Sequence, residues 1–340
     1  MSINIIRPIA ATDFSALYDI AQESGVGFTS LPVNDTLLAN KISRAESSFT
    51  KDVKTPGDEG YLFVMEDTTT GTVVGTCGIE AAVGVTDAFY HYHVGQVVHA
   101  SRELDIHNTV DILTVCNDYT GVSEICTLFL REQARLPNMG KFLSKVRFLF
   151  IAEHQHRFTE RVFAEMRGVS DEQGSSPFWV WLEKHFFSMD FPTADYLTGI
   201  GNKVFIAELM PKYPIYVNLL SQEAQAAIGH VHEKTKPALA LLKNEGFKYR
   251  GYVDIFDAGP TMEADIDTLK TVRESQRKPA LIATINPQAP LHIIINTLVS
   301  DFRGVLQPLE ITDEHILISH DTAKALNVSN GDMIRIAPLK

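Results

Sequence analysis

The strongest constraint on the fold is one strand–loop–helix unit. Ser123–Leu130 (SEICTLFL) is a short apolar run of strand length. A polar loop over residues 131–140 follows it. Beyond the loop, Phe142, Leu143, Val146, Leu149 and Phe150 recur at three- and four-residue steps, the spacing of one buried helix face. A helix in that position must lie against the sheet that owns the preceding strand.

The rest of the chain repeats the alternation. Ile5 to Ile9 reads as a strand broken at Pro8, and Asp13 stands as an N-cap before Phe14, Leu17, Ile20 and Ala21. A Gly/Pro-marked loop spans 25–32, and a second helix is predicted from Asp35 to Phe49. YLFVMED and TVVGTCGIE flank TTTG, which predicts a hairpin between Gly60 and Gly84. A polar, histidine-rich stretch separates that hairpin from Ser123. Downstream the pattern predicts a strand over Arg161–Val169 and a helix over Ser176–Met189. It then predicts helices over Ser221–Ile228 and Pro237–Asn244 and a strand over Lys248–Phe256. This order indicates an α/β fold with a sheet of mixed direction.

Three prolines (Pro279, Pro287, Pro290) without helical period place a domain boundary near residue 276. The predicted domains are 1–275 and 276–340. In the second, a short helix and strands joined at Asn330-Gly331-Asp332 suggest a small β-barrel-like appendage.

With 340 residues, 45% of them apolar, the chain can bury a core. It holds no apolar run long enough to span a bilayer, and MSINIIRPIAATDF lacks the layout of a secretory signal. Cys77, Cys116 and Cys126 are too widely spaced for a disulfide framework or a CxxC site, so reduced thiols in a cytoplasmic protein are expected. A net charge of -12 argues against a nucleic-acid partner, because phosphate contacts need clustered cations. Three H-x-H pairs (His91/His93, His154/His156, His230/His232) lack a third ligand at a recognisable spacing, and no metal is expected. The aromatic set Phe178, Trp179, Trp181, Phe186 and Phe187 reads as core.

The loop before the predicted helix carries Arg135, Asn138 and Gly140 as R-x-x-N-x-G, followed by Lys141. Unpaired N–H groups and the positive dipole end of a helix suit a pyrophosphate there, and asparagine and glycine let the backbone curl around it. This unit resembles the acyl-CoA pocket of the GNAT acyltransferase superfamily, whose usual pattern is Q/R-x-x-G-x-G/A; Asn138 replaces the first glycine. The resemblance implies a GNAT-like, mixed but mainly antiparallel sheet flanked by helices. It also implies that Leu128, Phe129 and Leu130 line the pantetheine arm, their backbone N–H groups being candidate oxyanion donors.

Longer segments resemble the arginine N-succinyltransferases: GVGFTSLP (25–32), SEICTLFL (123–130), KVRFLFIAE (145–153) and AEMRGVSDEQGSSPFW (164–179). So do HFFSMDF (185–191), ADYLTGIGNKVFIAELMPKYPIY (194–216), VHEKTKPALALLKNEGFKYRGYVDIFDAGPT (231–261) and VRES (272–275). The resemblance implies transfer of succinyl from succinyl-CoA to the α-amine of L-arginine, the first step of arginine catabolism by the succinyltransferase route. It implies His232 as proton donor to the departing CoA thiolate and Leu128 as a succinyl-CoA contact. A homodimer is expected. Glu165, Asp190, Glu208 and Asp254 are candidate partners of the guanidinium, and Arg167 of the succinyl carboxylate. Another amine such as ornithine, another acyl-CoA, or a CoA-binding module without catalysis are the rival readings.

Overall fold

The apolar periodicities resolve into strands and helices built on one sheet. The computed structural model describes residues 3–25, 28–171 and 174–339; two residues of the 25–32 loop and two of the 164–179 segment lie outside them. The chain opens with β1 (Asn4–Pro8), α1 (Phe14–Ser24), α2 (Asp35–Thr50), β2 (Gly60–Asp67) and β3 (Thr72–Glu80). Next come β4 (His91–Ser101), β5 (Ile106–Cys116), β6 (Ser123–Leu130), α3 (Met139–Glu153) and β7 (Arg161–Glu165). The middle holds α4 (Pro177–Leu182), α5 (Phe191–Gly199), α6 (Val204–Leu209), β8 (Ile215–Tyr216) and α7 (Gln222–Ala227). It continues with α8 (Lys236–Glu245), β9 (Lys248–Val253), β10 (Pro260–Asp265) and α9 (Lys270–Glu274). The last part is β11 (Gln276–Ile282), β12 (Leu291–Asn296), β13 (Gly304–Pro308), β14 (Glu310–Ile311), β15 (Ile316–Ile318), α10 (His320–Leu326) and β16 (Met333–Pro338).

The strand order is β14-β15-β11-β16-β12-β13-β1-β2-β3-β6-β7-β10-β9-β4-β5-β8. Among the described residues the named pairings are antiparallel, except β6 with β7 and β11 with β15. The sheet is therefore mixed and mainly antiparallel, as expected. The C-terminal strands continue it, because β13 pairs with β1 through Ile5↔Val305. They also surround an apolar cluster of their own that includes Ile294, Ile316, Leu326 and Ile336. Pro279, which has no N–H to donate, sits where β11 exchanges its β16 partner for β15.

Helix α3 is the centre of the main core. Phe142, Leu143, Val146, Leu149 and Phe150 are buried, and Phe150 meets Phe49, Tyr61, Phe63 and Phe302 edge-on or tilted. Each such side chain contributes roughly 1.5–3 kcal/mol by leaving water. The helix is nonetheless buried on more than the predicted face: every residue from Phe142 to Ala152 is inside, including Ser144, Lys145 and Arg147.

Several predicted elements differ. The histidine-rich stretch is a hairpin of two long strands, β4 and β5, paired from His91↔Cys116 to Ser101↔Ile106. Much of it is solvent-facing, so it carries no alternating apolar pattern. The strand from Arg161 stops at Glu165, and the one from Lys248 stops at Val253. Helix α4 widens into a π-helical turn over Glu183–Phe187 and ends at Ser188 with φ 50°. Asp13 does not cap α1 with its side chain; its carboxylate accepts from the Ala10 N–H and pairs with Arg7 at 2.7 Å.

Candidate active site

Strands β6 and β7 start side by side, Ser123 opposite Val162 and Glu124 opposite Phe163, and no further pairs follow between them. One cause lies on β6. Thr76 faces Phe129 and Gly78 faces Cys126, so β6 carries an extra residue, and Thr127 takes φ 53°. A bulge of this kind bends its strand and leaves a backbone group out of the ladder. The gap opens into a cavity of about 310 Å³ between Cys126, Thr127 and Leu128 on one side and Ala164 and Glu165 on the other. Ser144 and Arg147 of α3 also line it.

A second cavity of about 340 Å³ is walled by Lys41, Arg44, Glu80, Tyr90 and Lys203. The two meet at Glu124, Glu165, Cys126 and Asp254, which line both. The junction is acidic. Burial, with Glu165 and Glu80 nearby, holds the Glu124 carboxyl well above the usual range. Burial and Asp254 do the same for Glu165. Glu80 departs from this pattern: burial opposes its charge, but Lys41 and Arg44 outweigh that and hold it below the ordinary value. An array of carboxyls with raised proton affinity is set to receive a cation or to take a proton.

Beside Glu165 lies His91, fully buried, with Nε2 at 3.0 Å from Oε1. The approach is close but not aligned, and neither ring nitrogen has a hydrogen-bond partner among the described residues. Burial lowers the His91 pKa to about 4, so the ring is neutral at pH 7.

The loop beyond β7 is clamped by Asp257, whose carboxylate accepts from the N–H groups of Gly168 (2.6 Å) and Gly259 (2.8 Å). Burial, with Asp254 adjacent, raises the Asp257 pKa well above normal. Asp254 Oδ1 accepts from the N–H groups of Phe256 and Asp257. The same loop positions His232, whose N–H donates to Arg167 O at 2.9 Å beside a Gly168–Val231 bridge. His232 Nδ1 accepts from the Lys234 N–H at 3.1 Å, which leaves Nε2 as the protonated nitrogen. Burial, then Arg167 and Lys234, lower its pKa.

The sequence-predicted residues fall into three places. Leu128, Glu165, Arg167 and Asp254 line the cavity, and His232 borders it through its neighbours Lys234 and Thr235. Phe129 and Leu130 pack against the core, Phe129 edge-on to Phe28. Arg135, Asn138, Gly140 and Lys141 gather at the start of α3, where Asn138 is left-handed at φ 74° and no side chain caps the helix. A Cβ on Gly140 would meet nothing within 4 Å, so that end is open. Asp190 goes elsewhere: it caps α5 by accepting from Thr193 N–H, which holds its pKa low, and Glu208 is exposed on α6. His91, offered by the sequence only as half of an H-x-H pair, joins the site, and so do Glu124, Lys203, Asp257 and Arg147, which do not stand out in it. Of these four, only Arg147 left a signal, a charge between Val146 and Phe148 in an apolar helix.

Parted parallel strands, a bulge at their mouth and a helix beneath them define the class: a GNAT-fold acyltransferase. A family model described as arginine N-succinyltransferase beta subunit matches residues 4–271, and one described as its C-terminal domain matches 276–338. The chain belongs to the arginine N-succinyltransferase family. It is 46% identical to an arginine N-succinyltransferase of Yersinia pestis over 98% of this chain and 97% of that one. It is 48% identical to the arginine N-succinyltransferase subunit beta of Pseudomonas aeruginosa, covering 98% of each chain. A solved structure, the arginine/ornithine succinyltransferase subunit AI from Pseudomonas aeruginosa, superposes with a TM-score of 0.92 at 34% identity over 100% of both chains.

Proposed function

We propose that this chain transfers the succinyl group of succinyl-CoA to the α-amine of L-arginine, giving N2-succinylarginine and free CoA. The observation that carries this reading is the meeting of two lobes at Glu124, Glu165 and Asp254. The thioester enters through the β6–β7 gap, with its pyrophosphate at the open start of α3 near Arg135, Asn138, Gly140 and Lys141. The amino acid enters through the acidic lobe, where Glu165 and Asp254 complement its cationic groups. A carboxylate of raised proton affinity takes the proton of the α-ammonium, and the freed amine attacks the thioester carbon. Backbone N–H groups at the Leu128 bulge hold the oxyanion. The attacking nitrogen loses its second proton to the carboxylates of the junction or to solvent, the C–S bond breaks as the amide forms, and the leaving thiolate gains a proton. His232, which borders the cavity through Lys234 and Thr235, is the donor in its imidazolium form, Nδ1 taking a proton in place of its contact with the Lys234 N–H, and it returns to the neutral ring.

The names of full-length relatives support arginine as acceptor. The superposed Pseudomonas aeruginosa subunit is named for both arginine and ornithine, which supports a second reading in which ornithine is also used. Release of free thiol from succinyl-CoA decides between them, measured with L-arginine, with L-ornithine, with neither, and beside an acetyl-CoA control. Arginine-dependent release specific to succinyl-CoA is expected. No release with any pairing would remove the enzyme reading and leave a CoA-binding module.

We place the reaction in the cytoplasm, where acyl-CoA thioesters and free thiols coexist; Cys77, Cys116 and Cys126 are unpaired. No helix among the described residues is long and apolar enough to cross a membrane. Homodimeric assembly is our expectation, checked by sedimentation.

A further inference from the structure

Arg147 lies in the interior of α3 and is 2% exposed. Its Nε donates to Ser144 O at 3.1 Å, one terminal nitrogen to Ser144 Oγ at 3.1 Å and the other to the Cys126 carbonyl at 3.3 Å. Among the described residues, no carboxylate stands within ion-pair distance of it. The contrast with its neighbour is direct: Lys145, buried in the same helix, has Glu245 at 2.9 Å. A buried cation without an anion is costly, and such a charge persists where an anion arrives to meet it.

The geometry says where that anion would come from. Arg147 lines the cavity under the parted strands, and the carbonyl it holds immediately precedes the Thr127 bulge. A guanidinium has five N–H bonds. Three are used here, which leaves one on each terminal nitrogen, the pair that matches the two oxygens of a carboxylate.

We propose that Arg147 binds the distal carboxylate of the succinyl group and so selects a dicarboxylic over a monocarboxylic acyl thioester. This rests on the reaction proposed above. It reassigns the role that the sequence suggested for Arg167. That side chain is only half-buried, donates to Ser170 Oγ, and stands on the loop after β7, partly open to solvent.

The test is a donor panel of succinyl-CoA, its monomethyl ester and acetyl-CoA, run on wild type, Arg147→Gln, Arg147→Lys and Arg167→Gln. Wild type should prefer succinyl-CoA to the neutral ester by about 100-fold or more in kcat/KM. Arg147→Gln should lose about 100- to 1000-fold more with succinyl-CoA than with the other two donors, so that the preference for the free carboxylate collapses. Arg147→Lys should keep part of the preference. The proposal is overturned if Arg147→Gln slows all three donors alike, which would make the residue a clamp on the bulge. It is equally overturned if Arg167→Gln, rather than Arg147→Gln, abolishes the preference. Should the Arg147 variants not fold, the wild-type arm still decides: turnover without discrimination against the ester refutes the carboxylate site. That outcome leaves the acyltransferase reading standing, whereas no arginine-dependent release with any donor sinks both.

Discussion

Glu165 Oε1 lies 3.0 Å from Nε2 of His91, a ring with no exposure to solvent and a pKa lowered by burial to about 4. A neutral imidazole cannot stabilise the glutamate's charge as a cation would. Burial, with Asp254 as a repulsive neighbour, therefore keeps the proton affinity of the acid raised.

Glu165→Gln should consequently separate stability from activity. The folded chain retains a proton on Glu165 at pH values where the unfolded chain has released it. Stability is therefore lost as pH rises from the ordinary carboxylate range through the raised folded value. The amide has no such slope. Thermal melts should show the variant about 2–4 °C more stable near pH 7 and equal to wild type near pH 4. Its kcat/KM for arginine should fall by about 100-fold or more. Equal melting curves at both pH values would contradict the raised proton affinity.

His232 makes a different prediction. Its Nδ1 accepts from the Lys234 N–H, so in the proposed reaction Nε2 is the nitrogen that would serve the leaving group. His232→Ala should lower kcat by about 100- to 10,000-fold with little change in the KM for arginine. A kcat equal to that of wild type would remove His232 from the reaction.

The Asp257 clamp is sterically tight. A Cβ on Gly259 would stand 2.0 Å from Met166 O and 2.6 Å from Gly168 N. Gly259→Ala must therefore push the Met166–Gly168 loop away from its partner. We expect a loss of about 1–3 kcal/mol in urea unfolding. Activity per folded molecule should also fall, because Arg167 and the backbone N–H of His232 share that loop. Wild-type activity in the folded variant would show that the loop does not set the site.

The Lys145–Glu245 pair predicts a stability effect without a catalytic one. Both side chains are buried, and Glu245 also accepts from the Thr271 N–H and hydroxyl at 2.9 Å. Lys145→Met leaves that carboxylate without its cation and should cost about 3–5 kcal/mol. The urea midpoint should drop while the KM for both substrates holds.

What can be read from the sequence follows from which residues announce their surroundings. The β2–β3 hairpin is legible because its strands are apolar and Gly71 supplies the left-handed turn at φ 69°. The α3 unit is legible because a long apolar helix has few alternatives. The β4–β5 hairpin is not, since its side chains meet more water than core and cross-strand pairing holds it instead. At the site, Glu165 and Asp254 can be named as acids, but Glu124 and His91 join them only through strand pairing that local sequence does not encode. Asp190 misleads because an acid before a proline-led helix serves equally well as its cap. Lone charges such as Arg147 usually face solvent, and only the all-round burial of α3 shows this one inside. The role proposed for His232 comes from segment resemblance, as no spacing around it marks a proton donor.

The seating of β1 has a consequence for how this molecule comes into being. One flank of that strand is covered by β2, which is made soon afterwards. The other awaits β13, since Ile5 pairs with Val305. On a ribosome, which releases residues in order, that flank stays an open template for most of synthesis. Such an edge can recruit foreign strands as readily as its own. The short length of β1 and the charge of Arg7 beside Pro8 limit that hazard until the closing strand emerges.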